Sequence, residues 1–272
     1  MYTTNTTLEV IAQRLRSARR VLVLTHLKPD GDAVGSTLGV VRALNRPNGW
    51  VSASTPKAQV WYYGPPPPWL QEMSGDTPYQ LITNSNPPPV DQQGEPDAII
   101  LLDTGSWAQV EPVAEWLSTR RDRILVVDHH AQGDEDLSPS RYVEVAAAAV
   151  CQPAAELCRL LLDAPSIASL PETVAEALYL GLATDTGWFR DRGRGQFTGR
   201  HQELVGVCRV VFKLTGPKGI GPGTEEGCGG IDRTQRQLLL LNQCLDGKLQ
   251  QRDCFEKRRA PFLQPLRPVG IA

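Results

Sequence analysis

The chain lacks any apolar run near the roughly 18 residues of a membrane-spanning helix, so no such helix is expected. Its first residues, Met1-Tyr2-Thr3-Thr4-Asn5-Thr6-Thr7, lack the basic start and apolar centre of a secretory signal, and the cytoplasm is the expected compartment. Basic excess is missing too. The net charge of −2 and pI of about 6.1 offer no electrostatic footprint for duplex nucleic acid, and instead suit a small anion held at a local cationic site. Six cysteines (Cys151, Cys158, Cys208, Cys228, Cys244, Cys254) include no C-x-x-C pair, so free thiols are expected rather than a disulfide or zinc framework. Histidine is the scarcest informative residue, with four in 272 positions.

What is present is sharply placed. Three of the four histidines fall in two short acidic motifs, Thr25-His26-Leu27-Lys28-Pro29-Asp30-Gly31-Asp32 and Asp128-His129-His130. Each motif directly follows an apolar run, Val21-Leu22-Val23-Leu24 or Ile124-Leu125-Val126-Val127. Hard divalent cations take carboxylate oxygens, and imidazole serves transition metals. Such groups at the ends of buried strands point to metal-assisted phosphoester chemistry.

The first two thirds of the chain alternate helix and strand patterns. Helical periodicity covers Leu8 to Ala18, Ala33 to Leu44, Glu111 to Leu117, Pro153 to Leu162 and Thr173 to Ala183. Strand character covers Val21 to Thr25, Val51 to Ser54, Ala98 to Leu102, Ile124 to Val127 and Tyr142 to Val145. Residues 56 to 96 contain two proline runs, at 65–68 and 87–89, and are read as a long ordered surface loop packed down by Trp61, Tyr62, Tyr63 and Trp69. The pattern predicts an α/β fold, a parallel sheet with helices on both faces, whose ligands gather at the carboxyl ends of the strands. Residues 1–190 form the expected catalytic domain. Residues 191–272, rich in glycine and holding four of the six cysteines, show no core pattern beyond Leu204 to Leu214 and Gln235 to Leu249, and read as a degenerate or truncated C-terminal region.

In the first motif Pro29 and Gly31 shape a tight turn that lets Asp30 and Asp32 splay toward two neighbouring cations while His26 reaches the first. With a helix expected from Ala33, the turn would lie at a positive helix end where a phosphate can rest. An ordinary N-cap aspartate beside a surface histidine is the plainer alternative. Gly31, Gly35 and Gly39 recur every four residues. They lack the dinucleotide-binding pattern and are read as a smooth helix face close to the sheet. Asp103 ends an apolar run and suits a carboxylate shared between two cations. In Asp128-His129-His130 one ring can bind metal, the second can face a phosphate oxygen, and Asp128 can orient a ring. Asp185, in Ala183-Thr184-Asp185-Thr186-Gly187, is a fourth, weaker element.

Taken together, T-H-L-K-P-D-G-D-A-V-G-S at 25–36, L-L-D-T-G at 101–105, V-D-H-H and A-T-D-T-G-W-F at 183–189 resemble the DHH phosphoesterases over residues 1 to 190. The resemblance implies two divalent ions, manganese or magnesium. His26, Asp30 and Asp103 would hold one, and Asp32, Asp103, His129 and Asp185 the other, with Asp103 shared and His130 on the scissile phosphate. The subgroup it resembles in motif style hydrolyses short oligoribonucleotides and 3′-phosphoadenosine 5′-phosphate, which implies a small nucleotide or short single-stranded RNA as substrate, no membrane partner, and room for a homodimer. Cyclic-dinucleotide cleavage, pyrophosphate hydrolysis and a catalytically silent nucleotide-binding domain are the alternatives. The family's C-terminal G-G-G-H type motif has no match: Gly227-Cys228-Gly229-Gly230 runs into Ile231.

Overall fold

Every strand of the central sheet is parallel, which requires apolar side chains on both of its faces. The structure, a computed structural model, describes residues 2–45, 56–83 and 94–186, all within one compact unit. Its strands are β1 (Val21–Leu24), β2 (Ala58–Tyr63), β3 (Tyr79–Ile82), β4 (Ala98–Leu102), β5 (Ile124–Asp128) and β6 (Ser140–Val143). They lie in the order β3-β2-β1-β4-β5-β6. The α-helices are α1 (Leu8–Ser17), α2 (Gly31–Asn45), α3 (Leu70–Ser74), α4 (Ala114–Ser118), α5 (Cys151–Leu161) and α6 (Glu172–Asp185).

Alternation along each strand divides the core in two. Val21, Val23, Val60, Ile100, Leu102, Leu125 and Val127 pack on one face with α1, α2, α5 and α6. Leu22, Leu24, Trp61, Tyr63, Ile99, Leu101 and Val126 pack on the other with Val110, Val113 and Leu117. Burying one Ile or Leu fully is worth about 1.5–3 kcal/mol, so the all-buried strands β1, β4 and β5 anchor the sheet. β1 feeds outward to β2, whereas β4 lies on its other side. Strand order therefore reverses between β1 and β4, and an open α/β sheet has its ligand crevice at that reversal, beyond the carboxyl ends.

Several expectations need correction. Residues 56 to 96 are not one loop: they carry β2, α3 and β3. Trp61, Tyr62 and Tyr63 are buried residues of β2 rather than a clamp on a loop, because an aromatic-rich run fits a pleated, covered strand whatever prolines follow it. The helix expected at Glu111 to Leu117 is a 3-10 segment, Trp107–Val113, followed by α4, with Pro112 inside the 3-10 turns. β6 begins two residues before the expected Tyr142. α2 starts at Gly31, so Asp32 belongs to its first turn. The strand at Val51 to Ser54, the second proline run and every expectation on 191–272 lie outside the described residues. Among the described residues no helix is long and apolar enough to cross a membrane. Cys151 and Cys158 are buried free thiols.

The glycine repeat of α2 faces α6 and not the sheet. A Cβ at Gly35 would fall 2.8 Å from the backbone nitrogen of Gly181, and it would also meet the Ala177 carbonyl. One at Gly39 would meet only the Leu178 side chain, at 2.9 Å. The two helices are thereby in backbone contact at Gly35, and the N-terminal turn of α2 is locked beside the C-terminal turn of α6. This contact brings Asp32 and Asp185 to the same rim. Gly35→Ala is therefore expected to cost about 3 kcal/mol and Gly39→Ala about 1 kcal/mol, since a side chain yields and a backbone does not. Urea unfolding of both variants measures the difference, and equal losses would contradict the packing described.

Candidate metal centre

Three strands end at the crevice, and each delivers a different part of the site. After β1 the chain turns through Lys28, which has a φ of 59°, and enters α2. Asp30 Oδ1 accepts from the backbone N–H groups of Asp32 and Ala33, both at 3.1 Å. Asp30 thus caps the helix itself and takes two of the N–H groups at the helix end where a phosphate was expected to rest. The plainer alternative for Asp30 is correct as far as it goes, yet Asp30 also stands 3.8 Å from His26 Nε2.

Asp103 follows β4 directly in the left-handed backbone region, with a φ of 63°, a conformation that aspartate tolerates better than most residues. Its N–H bonds to the Val127 carbonyl of β5 at 3.2 Å. Strand pairing thereby holds it at the centre of the rim while the backbone turns its carboxylate inward. His26 Nε2 lies 3.5 Å from Asp103 Oδ2, and His129 Nε2 lies 3.4 Å from Oδ1. Asp103 Oδ1 is buried and accepts no hydrogen bond.

Asp32 is fully buried and is held from another element. Its two carboxylate oxygens accept from the N–H groups of Val150, at 2.6 Å, and Cys151, at 3.1 Å, where α5 begins. Oδ2 also lies 3.9 Å from His129 Nε2. Asp185, in the last turn of α6, comes into the same group: one ligand atom each from Asp32, His129 and Asp185 lies within 4.8 Å of the others. The same holds for His26, Asp30 and Asp103, and for Asp103, His129 and His130. The six positions singled out in the sequence therefore lie on one rim: His26, Asp30 and Asp103 form one of the expected sets, whereas Asp32, His129 and Asp185 group without Asp103, which groups instead with His129 and His130.

Asp128 stands behind them. Its Oδ1 accepts from His130 Nδ1 at 2.8 Å and from the His129 N–H at 2.8 Å, which makes it the orienting carboxylate the sequence suggested. Two contributors to the site went unforeseen. One is the pair of N–H groups at Val150 and Cys151. The other is Tyr2, whose hydroxyl donates to Asp128 Oδ2 at 2.8 Å. Neither carries a local sequence signal. Gly105 and Gly133, which make room for the Tyr2 ring, are the nearest thing to a clue.

Electrostatics follow from crowding. Burial, then the Asp103 charge, pushes the Asp32 carboxyl up. Burial, with Asp103 and Asp30 nearby, raises Asp185 as well. Burial alone would depress the imidazoles. Asp103 and Asp30 outweigh it at His26, lifting it to about 10, while Asp103 and Asp32 lift His129 to about 9. Hydrogen bonding to Asp128 raises His130.

The donor set fits divalent cations. Atoms that share an ion at about 2.1 Å stand roughly 3–4 Å apart, and the imidazole–carboxylate separations of 3.4–3.9 Å here are of that size. Asp103 Oδ1, buried, within 4 Å of two imidazoles and without a hydrogen bond, is a donor suited to such an ion.

The chain is 26% identical over 188 residues to the cyclic-di-AMP phosphodiesterase GdpP of Geobacillus thermodenitrificans (strain NG80-2), covering 66% of this chain but 27% of that protein. The chain thus spans about a quarter of that relative's length. Among solved structures it resembles an exopolyphosphatase-related protein from Bacteroides fragilis, with a TM-score of 0.57 and 19% identity over 76% of this chain and 58% of the other, a likeness of fold. The model of the DHH family, N-terminal domain, matches residues 20–182, from just before β1 into α6, and with the converging aspartates and histidines this shows that the chain belongs to the DHH family.

Proposed function

We propose that this chain is a two-metal phosphoesterase that hydrolyses short oligoribonucleotides and 3′-phosphoadenosine 5′-phosphate. The observation that carries the reading is Asp103, buried between two imidazoles, 3.5 and 3.4 Å away, with one carboxylate oxygen that makes no hydrogen bond. In this reading His26, Asp30 and Asp103 hold one ion, and Asp32, Asp103, His129 and Asp185 hold the second. Bound divalent ions, manganese by preference, supply Lewis acidity and lower the pKa of water. The protein does the rest. Asp103, with Oδ2 toward His26 and Oδ1 toward His129, would place its negative charge between two cations and offset part of their repulsion. Asp128 fixes the His130 ring through Nδ1, which leaves Nε2 for a phosphate oxygen. A proton on that ring meets the charge that builds on phosphate oxygens during in-line displacement. No serine, cysteine or threonine at the rim is needed as a nucleophile.

A second reading, cleavage of cyclic dinucleotides, is favoured by the similarity to a cyclic-di-AMP phosphodiesterase. A manganese-supplemented panel of a linear diribonucleotide, 3′-phosphoadenosine 5′-phosphate, cyclic-di-AMP and pyrophosphate separates them. Turnover of the first two supports the leading reading, and turnover of cyclic-di-AMP alone replaces it. Nucleotide binding without hydrolysis of any of the four would make the chain a silent binding domain. In the active case Asp103→Asn is expected to lower turnover roughly a thousandfold, because the amide cannot carry the shared negative charge. Unchanged turnover would remove Asp103 from the centre.

The raised imidazoles give a further expectation. Metal ligation needs neutral histidine, whereas at pH 7 both His26 and His129 hold protons in the metal-free protein. The Asp32 carboxyl, pushed up to about 8 by burial and the Asp103 charge, holds a third, so manganese binding at pH 7 is expected to release roughly three protons and to tighten as pH rises through 8 to 10. The sign for stability without metal is the opposite. Both rings titrate above the ordinary value of 6.5, so their stabilising contribution is complete below about pH 6.5 and lost as pH rises through 9 to 10. Titration calorimetry in buffers of different ionisation enthalpy counts the protons, and a buffer-independent heat would contradict the assignment.

A further inference from the structure

The segment before α1 does something the family ligand set does not require. From Thr6 back to Tyr2 it runs along the open edge of β6. The Thr6 and Asn5 N–H groups donate to the Arg141 carbonyl at 3.2 and 2.9 Å, and the Asn5 side chain accepts from the Arg141 N–H at 2.7 Å. The Thr4 hydroxyl both accepts from the Val143 N–H and donates to the Val143 carbonyl, each at 2.8 Å. Side chains and backbone together thus pair the edge strand up to its carboxyl end. The next residue to turn inward is Tyr2, which is buried.

Its ring fills a slot made by two glycines. A Cβ at Gly133 would fall 2.6 Å from the ring, and one at Gly105 would collide with the phenol. Gly105 lies two residues past Asp103, and Gly133 three past His130. The Asp134 N–H closes the slot by donating to the Gly105 carbonyl at 2.7 Å. At the bottom of the slot the phenol donates to Asp128 Oδ2. The other carboxylate oxygen, Oδ1, receives His130 Nδ1 and the N–H groups of His129 and His130. One carboxylate is thus gripped on one oxygen by a residue 126 positions away and on the other by the histidine pair.

Resting on the phosphoesterase reading above, we infer that Tyr2 is a positioning residue for His130: its hydroxyl fixes the rotation of the Asp128 carboxylate, and the carboxylate fixes the ring that meets the phosphate. Tyr2 is none of the residues proposed to hold metal or phosphate, and it acts through Asp128. Without the hydroxyl, Asp128 Oδ2 remains buried with its donor gone, and the carboxylate turns to recover one, releasing His130 Nδ1. The energetic logic is that of an outer carboxylate on an active-site imidazole, extended by one link.

The test uses the full chain and Tyr2→Phe, which keeps the ring in its slot. Expected are a fall in kcat of about tenfold and a KM and manganese affinity within twofold of the parent chain. A second readout needs no turnover. In the metal-free protein, nitrogen-15 spectra of the imidazoles should show His130 held as one form protonated at Nδ1, and Tyr2→Phe should convert it to a mixture while leaving His26 unchanged. Thr4→Val weakens the edge pairing but keeps the phenol, and should leave both kcat and the His130 signal near the parent values. An unchanged kcat and unchanged His130 signal in Tyr2→Phe would overturn the inference. So would a loss shared equally by kcat, manganese affinity and thermal stability, which is the mark of a merely structural tyrosine. If the parent chain hydrolyses nothing, the phosphoesterase reading fails, while the His130 signal still decides whether Tyr2 positions that ring.

Discussion

Carboxylate crowding at one rim is the constraint on which the rest of the structure depends. Asp30, Asp32, Asp103 and Asp185 meet there with two imidazoles between them. Asp32 and Asp103 are buried while Asp30 and Asp185 reach solvent, and like charges at such separations are hard to keep ionised around a buried pair unless positive charge arrives. In the metal-free protein part of it arrives as protons, on His26 and His129, and part of the strain appears as carboxyls pushed upward at Asp32 and Asp185. A site of this kind is unfavourable in itself. It persists because strands β1, β4 and β5, each buried along its whole length, supply the stability that the rim consumes.

The parallel sheet makes that exchange economical. Its strand order reverses between β1 and β4, so the loops after these two strands leave in opposite directions and open a crevice between them. His26 and Asp30 come from one wall, Asp103 from the other, and His129 from the adjoining strand. α2 and α6, in backbone contact at Gly35, close the far side and bring Asp32 and Asp185 within reach. The left-handed turn at Asp103 is tolerable only because the Val127 carbonyl of β5 receives its N–H. Each of these side chains therefore depends on the packing of an element other than its own.

Most of this was legible in the sequence wherever a short local pattern decides the outcome. Val21-Leu22-Val23-Leu24 and Ala98-Ile99-Ile100-Leu101-Leu102 can hardly be anything but buried strands. Once they are placed, Asp30, Asp103 and His129 must share an edge. β2 was hidden for a physical reason: Trp61, Tyr62 and Tyr63 sit against four prolines, and breaker residues outweigh propensity in a local reading although they act only outside the strand. The glycine repeat of α2 was recognised as a close-packing face but assigned the wrong neighbour, because spacing reports that something comes close and not what. Tyr2 and the N–H groups of Val150 and Cys151 were invisible. Their partners lie 126, 118 and 119 residues away, and nothing in a threonine-rich start or an alanine run announces them.

These remote contacts show how the site is divided between chemistry and aim. The residues that bear charge toward a ligand cluster in four short motifs, while the groups that aim them come from α5, from the edge of β6 and from the start of the chain. Asp32 is aimed by the first N–H groups of α5, which also place a partial positive charge against a carboxylate that burial would otherwise neutralise. Asp128 is aimed by Tyr2 and in turn aims His130. A carboxylate has two oxygens, and in both cases each oxygen has its own partner, so rotation is blocked and not merely discouraged. Charge attracts from any angle, so the motif residues alone would suffice for the cation binding proposed above. Placing a phosphate oxygen against one particular ring nitrogen is a matter of tenths of an ångström, and that accuracy comes from groups the motifs do not contain.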